Sequence, residues 1–258
     1  MKKILIYTVH KAASTFLHRL ARDVSGFVGI DHYSLNYRKD YGNAIRQSSW
    51  RQFIEDSTGG DCFGPIRSGV AEPIFPDNLS DCSVILHLRD PRDVLTSLFF
   101  SGTYGHIKNK DCFNPSDVKR KQWEIDGIDF FVSERIPRYK ERFHNLTSTL
   151  LGRENVTFIT YEEMLSDFSR WLDRFLGAFA HHMPVPHDDR QCPKSYSEIH
   201  RMLQKRYRHE FVPASENIYS HKRQITPGDH KRKLRPETID RLNTEFEQIL
   251  DLLGMHRD

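Results

Sequence analysis

The strongest constraint on the fold is a short apolar segment followed at once by a helical pattern, a pairing that the chain shows three times. The apolar segments are Ile4–Val9, Ser83–Leu88 and Val156–Tyr161. Segments this short and this apolar are typical of parallel strands buried on both faces. Apolar residues at helical spacing follow in Ser14–Val24, from Pro91 to about Phe100, and from Glu162 to Phe179. We therefore predict an α/β protein, a three-layer α/β/α fold around a central parallel sheet.

Two further segments have helical spacing. Ser116–Phe143 is mostly helical in pattern, and Pro137 is expected to kink or break it. Pro236–Leu253 carries an apolar stripe along one side. No internal repeat or linker-like segment separates these elements, so we predict a single domain over residues 1–258.

The composition excludes several other classes of protein. The chain has 258 residues, of which 38% are hydrophobic and 28% charged, enough for a substantial core. Its four cysteines are widely spaced without a C-x-x-C pair, which argues against a zinc site or a disulfide scaffold and favours reduced thiols. No apolar run approaches the roughly 20 residues of a membrane span. The first apolar segment ends at His10 without a signal-peptide cleavage pattern, so we expect a cytoplasmic protein with no membrane partner.

The net charge of +3 is unevenly distributed along the chain. Residues 194–235 contain 11 Lys or Arg against 4 Asp or Glu, a local charge of +7, and the rest of the chain carries −4. One basic stretch in an otherwise slightly acidic chain favours a bound anion over a long nucleic-acid track.

The segment between the first predicted strand and helix has the features of an anion site. A loop there presents backbone N–H groups at the positive end of a helix dipole, which favours a phosphate or sulfate. Ala12 and Ala13 allow the backbone to approach an anion closely. Lys11 adds a positive charge, and Ser14 and Thr15 add hydroxyl donors. The glycines of the P-loop signature are absent, and the alternative is an ordinary helix start with Ser14 as N-cap and Lys11 in solvent.

This loop is also the first of several matches to a known family. Residues 10–17, HKAASTFL, resemble the 5′-phosphosulfate loop P-K-[ST]-G-[ST]-T-[WL]-L of sulfotransferases that use 3′-phosphoadenosine 5′-phosphosulfate (PAPS). His10 replaces the proline, and two alanines replace the usual small residue plus glycine. The resemblance implies a P-loop NTPase-like sulfotransferase fold in which Lys11 steadies the bridging oxygen of the leaving group. It further implies that residues 12–15 hold the 5′-phosphosulfate and that Phe16 packs on the adenine.

A second match follows the second predicted strand. Residues 88–97, LRDPRDVLTS, resemble the family's 3′-phosphate motif R-[ND]-P-[RK]-D-x-x-x-S. Arg89 would lie at the C-terminal edge of the sheet, where open α/β sheets bind ligands. A guanidinium fork together with the Ser97 hydroxyl suits a phosphomonoester. The alternative is a surface ion-pair cluster, which would stabilise the fold little, formed by Arg89, Asp90, Arg92 and Asp93.

A third match follows the third predicted strand, where residues 161–165, YEEML, resemble the family segment Y-E-[DE]-[ML]. The resemblance implies that Tyr161 lies beside the adenine.

The last match lies in the basic stretch 194–235. Residues 221–231, HKRQITPGDHK, resemble the late family loop R-K-G-x-x-G-D-W-[KR] with one extra residue, and His230 stands in place of the tryptophan. Lys222 and Arg223 match the family's 3′-phosphate ligands. For Lys231–Lys233 a solvated basic surface is the preferred interpretation.

The four matches occur in family order and together imply an activity. The resemblance implies transfer of the sulfuryl group of PAPS to a hydroxyl or amine of a small-molecule acceptor, with release of adenosine 3′,5′-bisphosphate (PAP). Such a transfer, like phosphoryl transfer, asks mainly for positioning and charge stabilisation. We expect PAPS as co-substrate, no metal, no nucleic-acid partner, and a monomer or homodimer.

The sequence offers several candidates for the general base that activates the acceptor. Many small-molecule sulfotransferases carry a histidine in the stretch corresponding to residues 64–76, which here offers Glu72 instead, with Arg67 able to contact the sulfonate. Other members of the family use a carboxylate, in some cases just after the first helix, where this chain has Asp31 and His32. Both a carboxylate and an imidazole are competent bases. We rank His32 first, Glu72 second and Asp31 third.

The sequence is also compatible with two other functions. A P-loop kinase-like phosphotransferase could use the same sheet, although the glycines and an evident Mg²⁺-binding partner are missing. A non-catalytic module could bind polyanions through the basic stretch 194–235. The acceptor is not identified, and its loops are expected within residues 31–41, 102–114 and 187–218.

Overall fold

The computed structural model describes residues 2–34, 47–67, 75–105, 116–183, 195–211 and 225–255. The chain divides into two compact units. The first comprises Met1–Leu88 with Asn145–Glu210, and the second comprises Arg89–His144 with Phe211–Asp258. The single domain over residues 1–258 stays a prediction.

The first unit contains a sheet of five parallel strands in the order β2-β3-β1-β4-β5. The strands are β1 Lys3–Thr8, β2 His32–Tyr33, β3 Cys62–Arg67, β4 Cys82–Leu88 and β5 Val156–Thr160. β1 lies in the middle, and its residues from Ile4 onward are buried, as its apolar sequence predicts. The predicted α/β class with a central parallel sheet is confirmed.

Two of the five strands, β2 and β3, are not predicted by the sequence pattern. β2 has only two residues, too few to produce a periodic signal. β3 contains Gly64 and Pro65, residues that normally argue against a strand interior. The structure explains Gly64, because a Cβ there would lie 2.8 Å from both the Cβ and the carbonyl oxygen of Ile6, and its φ is 142°.

The α-helices of the described residues are α1 Ser14–Val28, α2 Gln47–Asp56, α3 Pro91–Phe100, α4 Asp117–Leu150, α5 Tyr161–Ser166, α6 Phe168–Gly177, α7 Tyr196–Tyr207, α8 Asp229–Lys233, α9 Pro236–Glu245 and α10 Glu247–Leu253. A π-helical turn, Ser101–Gly105, continues from α3. Across the described ranges, none of the helices combines the length and apolar character needed to cross a bilayer.

Several helix boundaries differ from the predicted ones for identifiable reasons. The predicted helix from Glu162 to Phe179 is two helices, because the Asp167 side chain accepts a hydrogen bond from the Arg170 backbone N–H at 3.0 Å and starts α6. The predicted C-terminal helix likewise divides at Phe246, where φ is −107° and ψ is 13°. In α4 the helical geometry is interrupted at Gly127, with φ 81° and ψ 170°, whereas Pro137 lies inside the helix.

The segment from 187 to 218, expected as an acceptor loop, is partly helical. α7 occupies Tyr196–Tyr207 and begins with a capping box between Ser195 and Glu198. Ile199, Leu203 and Tyr207 are buried and lie four residues apart. The loop prediction is therefore wrong for this part, because apolar residues at helical spacing lie among the basic ones.

Candidate active site

The topology of the sheet indicates where α/β proteins of this kind bind their ligands. The chain leaves β1 towards β2 on one side of the sheet and leaves β4 towards β5 on the other, although β1 and β4 are neighbours. Thr8 pairs with His87, so the two strands end at the same level. In open α/β sheets, ligands bind beyond the carboxyl ends of the strands at such a switch point. The loop that follows β1 starts here.

Two residues of this loop have left-handed backbone conformations. Lys11 has φ 66° and Ala13 has φ 56° with ψ 30°. This conformation costs a non-glycine residue roughly 1–2 kcal/mol, and residues held in it cluster at ligand-binding turns. Ala13 stands at the glycine position of the family pattern. Its left-handed backbone explains why a glycine suits this position, since glycine adopts that conformation most easily.

The start of α1 is open to an anion. Ala13 is the N-cap and makes no side-chain hydrogen bond, and Ser14 is the first helical residue, so the interpretation of Ser14 as an ordinary N-cap is wrong. Phe16 and Leu17 donate their N–H groups to the Ala13 carbonyl, at 2.9 and 3.0 Å. Within the described ranges no backbone acceptor takes the N–H groups of Ser14 and Thr15, and the first turn carries no acidic residue. A helix end of this kind attracts a phosphate or sulfate.

The side chains of the loop are accessible to a ligand. Lys11 and Ser14 are half-buried, Thr15 is exposed, and Ala12 is fully buried beneath them. The Lys11 ammonium group and the Ser14 and Thr15 hydroxyls therefore lie on residues that reach the surface within one short segment.

The two aromatic residues predicted beside the adenine are both buried. Phe16 is 4% exposed and packs on Tyr207, Trp171 and Phe168, with ring centroids 5.3, 6.0 and 6.1 Å away. Tyr161 is 5% exposed at the first position of α5. Each ring has little surface left for a base in this structure, and their contact with adenine stays a prediction.

His32, the first-ranked base, lies on the edge strand β2. Its Nε2 lies 2.8 Å from the carbonyl oxygen of Gly64. Because a carbonyl only accepts, this bond requires the proton on Nε2, and Nδ1 is then the basic nitrogen of the neutral ring. The ring also lies beside that of His18, with centroids 5.1 Å apart.

The other residues weighed as base or sulfonate contact are less defined. Asp31 is exposed and accepts a hydrogen bond of 3.4 Å from the Tyr33 hydroxyl. Arg67 is the last residue of β3 and is half-buried. Glu72 lies outside the described residues.

The second unit holds the predicted 3′-phosphate residues Arg89 and Ser97. Arg89 directly follows β4 in the chain and is 4% exposed. Its Nη2 lies 3.6 Å from Oδ2 of Asp93, which is fully buried one turn along α3. Ser97 is half-buried one further turn along the same helix.

The neighbouring ion pair is structural. Asp90 caps α3 by accepting the Arg92 N–H at 2.8 Å, and the same carboxylate pairs with the Arg92 guanidinium at 2.8 Å. Arg92 also donates to Asn243 at 2.7 Å. These groups are 2–4% exposed, so the alternative of a surface ion-pair cluster is wrong: the pairs exist but are buried.

Asp93 also contacts the late basic segment, a contact that the sequence analysis missed. It accepts hydrogen bonds from the backbone N–H groups of Gly228 and His230, at 2.7 and 3.0 Å, and from Nδ1 of His230 at 2.7 Å. Burial alone would raise the pKa of Asp93, but the hydrogen bonds from His230 and the charge of Arg89 outweigh it and hold that pKa well below its ordinary value. The acidic position of the R-[ND]-P-[RK]-D pattern is the one signal that could have indicated this role.

The rest of the late segment lies partly outside the described residues, which resume at Ile225 and so leave out Lys222 and Arg223. Lys231 and Arg232 are exposed on the short helix α8, whereas Lys233 is half-buried with its Nζ 5.5 Å from the centroid of the Phe100 ring, so the interpretation of all three as a solvated surface holds only for the first two. The basic stretch 194–235 is divided between the two units, since Glu210 ends the first and Phe211 resumes the second.

No group of three or more His, Cys, Asp or Glu side chains within the described ranges is arranged to hold a metal ion.

A central parallel sheet with an uncapped helix start beyond its middle strand is the arrangement with which many α/β proteins bind a phosphate or sulfate. Residues 73–254 match the family model described as "Sulfotransferase domain". This match covers well over half of the chain, and the chain belongs to the sulfotransferase family. The predicted enzyme class is thereby confirmed, whereas the loop at residues 10–17 lies before the matched region.

Solved structures support the fold. The chain matches mouse sulfotransferase SULT7A1 complexed with PAP, with a TM-score of 0.60, 14% identity, and coverage of 97% of this chain and 85% of that one. It also matches retinol dehydratase in a complex with retinol and PAP, with a TM-score of 0.56, 14% identity, and coverage of 96% and 81%. Retinol dehydratase in complex with androsterone and inactive cofactor PAP gives a TM-score of 0.55, 14% identity, and coverage of 96% and 80%. No curated protein sequence matches the chain.

Proposed function

We propose that this sulfotransferase transfers the sulfuryl group of PAPS to a hydroxyl or amine of a small-molecule acceptor and releases PAP. The observation that carries the proposal is the uncapped start of α1, where the N–H groups of Ser14 and Thr15 follow the left-handed Ala13 beside Lys11. The structures of SULT7A1 and retinol dehydratase contain PAP, which supports a nucleotide of this type.

The 5′-phosphosulfate is assigned to the loop after β1. Backbone N–H groups and the hydroxyls of Ser14 and Thr15 would donate to its oxygens, and Ala12 and Ala13 leave the backbone accessible. The adenine is assigned to Phe16 and Tyr161.

The 3′-phosphate is assigned to the residues of the second and last family matches. Arg89 and Ser97 would bind it with a guanidinium and a hydroxyl, and Lys222 and Arg223 would add two positive charges. Arg89 is buried beside Asp93, so its guanidinium is held in a defined position before the nucleotide arrives.

The transfer needs a group that stabilises the negative charge on the leaving oxygen and a general base that takes the proton of the attacking group. The acceptor oxygen or nitrogen attacks sulfur as the bond between sulfur and the bridging oxygen breaks, and the electron pair leaves with PAP. Lys11 stabilises the charge that develops on this bridging oxygen. The proton of the acceptor passes to a general base, for which Nδ1 of His32 is the first choice and Glu72 and Asp31 the alternatives.

The protein is further assigned to the cytoplasm, to small-molecule metabolism, and to a monomeric or homodimeric state without nucleic-acid or membrane partners. The widely spaced cysteines support the assignment to the cytoplasm, and the modest net charge of +3 supports the absence of a nucleic-acid partner.

Incubation with ³⁵S-labelled PAPS and a library of metabolites, with and without EDTA, tests the proposal. Label should move to an acceptor in amounts that EDTA leaves unchanged, and PAP should bind at one saturable site. A requirement for divalent metal would favour the kinase-like alternative. Steeply salt-dependent binding of long polyanions without transfer would favour the polyanion-binding module.

A further inference from the structure

The N-terminal part of α4, in the second unit, exposes two large apolar side chains along one line. Among the large apolar side chains of the described residues, Val118 and Ile125 have the highest exposed fractions, 77% and 78%. They lie seven residues apart, about two turns of the helix, so both lie on the same side of it. Because the helical geometry breaks at Gly127, this side belongs to the short segment 117–126. Single exposed apolar residues are common, but two aligned on one short helix indicate a contact surface.

The opposite side of the segment is the side that packs on the protein. Arg120 is 7% exposed, and the Trp123 ring lies 5.1 Å from the Phe131 ring, between centroids, and 5.1 Å from the guanidinium carbon of Arg135. At 3.6 residues per turn, Arg120 and Trp123 lie about 180° around the helix from the apolar line. The segment is thus held from its inner side, and its apolar line takes no part in that packing.

The charges of the segment are divided between its two halves. Residues 117–121 carry three positive charges and one negative, a charge of +2, and residues 122–126 carry −2. The charged residues are Asp117, Lys119, Arg120, Lys121, Glu124 and Asp126. A helix dipole favours the reverse order, with acidic residues near the start, so stabilisation of the helix itself does not explain this division. Within the described ranges, neither Lys121 nor Glu124 forms an ion pair.

A second copy of the chain in antiparallel orientation would satisfy both features. At a two-fold interface the same surface meets itself in the reverse direction. Val118 of one protomer then packs against Ile125 of the partner subunit. The positive half of each segment faces the negative half of the other, which brings Lys121 of one protomer towards Glu124 of the partner subunit. A parallel pair would place like charges together.

We propose that residues 117–126 form the interface of a weak antiparallel homodimer, with Val118 and Ile125 at its centre and Lys121 and Glu124 at its edge. Two faces of this length, about 15 Å each, bury less than the roughly 1,600 Å² of a standard stable interface, so the association is weak. This inference goes beyond the proposed function and does not depend on it.

Sedimentation velocity of the full chain over a series of concentrations tests the proposal. The wild-type protein should shift from monomer towards dimer with a Kd of about 0.1 mM. Val118→Asp places a carboxylate at the centre of the interface and should raise this Kd at least about tenfold. Met202→Asp, the same type of change at an exposed apolar residue of α7, should leave it unchanged. A wild-type protein that stays monomeric up to about 1 mM would overturn the proposal.

Charge reversal provides a second test that a loss of folding cannot imitate. Lys121→Glu and Glu124→Lys each place like charges together and should each raise the Kd about tenfold. An equimolar mixture of the two variants should recover the wild-type Kd as a heterodimer, because opposite charges then meet again at both symmetry-related contacts. Lys205→Glu, an exposed residue on α7, is the control with the same change of net charge and should keep the wild-type Kd.

The outcomes separate this inference from the proposed function. Dimerisation that none of these substitutions weakens, or variants that fail to associate on mixing, would overturn the assigned interface. A protein that dimerises as described but transfers no sulfuryl group would contradict only the proposed function.

Discussion

Lys11 and Ala13, two residues apart in the loop after β1, both adopt left-handed backbone conformations, with φ of 66° and 56°. Neither is a glycine, and Ala13 occupies the position at which the family pattern has one. The loop therefore keeps the backbone shape of its family without the residue that adopts this shape most easily. The free-energy cost of the left-handed conformation can therefore be measured by substituting glycine in this loop.

Ala13→Gly should be tolerated better than Ala12→Gly. At Ala13 the substitution relieves a left-handed alanine, which offsets the entropy cost of glycine. At Ala12, which is fully buried and outside the left-handed region, only the entropy cost and the lost methyl remain. We expect the free energies of unfolding in urea to differ by about 1–2 kcal/mol in favour of Ala13→Gly. Equal stabilities of the two variants would contradict the conformation described for the loop.

Lys11→Ala should slow sulfuryl transfer strongly and leave the fold intact. The variant removes the charge assigned to the bridging oxygen, so kcat should fall by about two to three orders of magnitude, with little change in the thermal unfolding temperature. Lys119→Ala, a change of the same type at an exposed position on α4, should retain full activity. Retention of activity by Lys11→Ala itself would remove its assigned role.

Arg89→Ala should chiefly weaken nucleotide binding. The guanidinium is assigned to the 3′-phosphate, and loss of a charge-assisted contact typically costs about 1.5–3 kcal/mol, which calorimetry would record as a loss of affinity for PAP. Arg138→Ala is the control, because Arg138 is exposed on α4 and has no assigned role. An unchanged affinity for PAP in Arg89→Ala would exclude the assignment.

The low pKa of Asp93 predicts how its contribution to stability depends on pH. A carboxylate with a depressed pKa in the folded protein stabilises it fully above the unfolded-state value of about 3.9 and progressively less below it. The wild-type protein should therefore unfold at a higher temperature than Asp93→Asn at pH 5, and the difference should shrink as the pH falls below about 4. A difference that stays constant down to pH 2.5 would show that the ionised form is not what matters.

The buried cysteines should be unreactive in the native protein. Burial raises the pKa of the Cys62 thiol to about 12 and also raises that of Cys82. The thiolate is the reactive form, so iodoacetamide at neutral pH should leave both unmodified, as peptide mass spectrometry would show. Both should react after unfolding in guanidinium chloride. Rapid native labelling of Cys62 would contradict its buried position on β3.

Local patterns explain which elements could be predicted. β1, β4 and β5 were found because each is a continuous apolar run followed by a helix, and this signal needs no distant contact. β2 and β3 have no such signal, because a two-residue strand and a strand containing Gly64 and Pro65 depend on their neighbours: β3 pairs with β1, and β2 pairs with β3. Asp167 divided a predicted helix because a capping side chain competes locally with helix continuation.

The same distinction between local patterns and distant contacts applies to the candidate site. The residue types of the loop at Lys11–Thr15 and of the motif at Arg89–Ser97 were readable from the sequence, since each is a short segment at the end of an apolar strand. The sequence by itself determined a parallel α/β fold and the enzyme class, and it predicted the anion-binding loop. The left-handed conformation of Ala13, the burial of Arg89 and the contact between Asp93 and His230, 137 residues apart, were decided only by the tertiary structure. Such contacts depend on which distant donors the packed chain brings to a buried carboxylate, and no local pattern of residues encodes that.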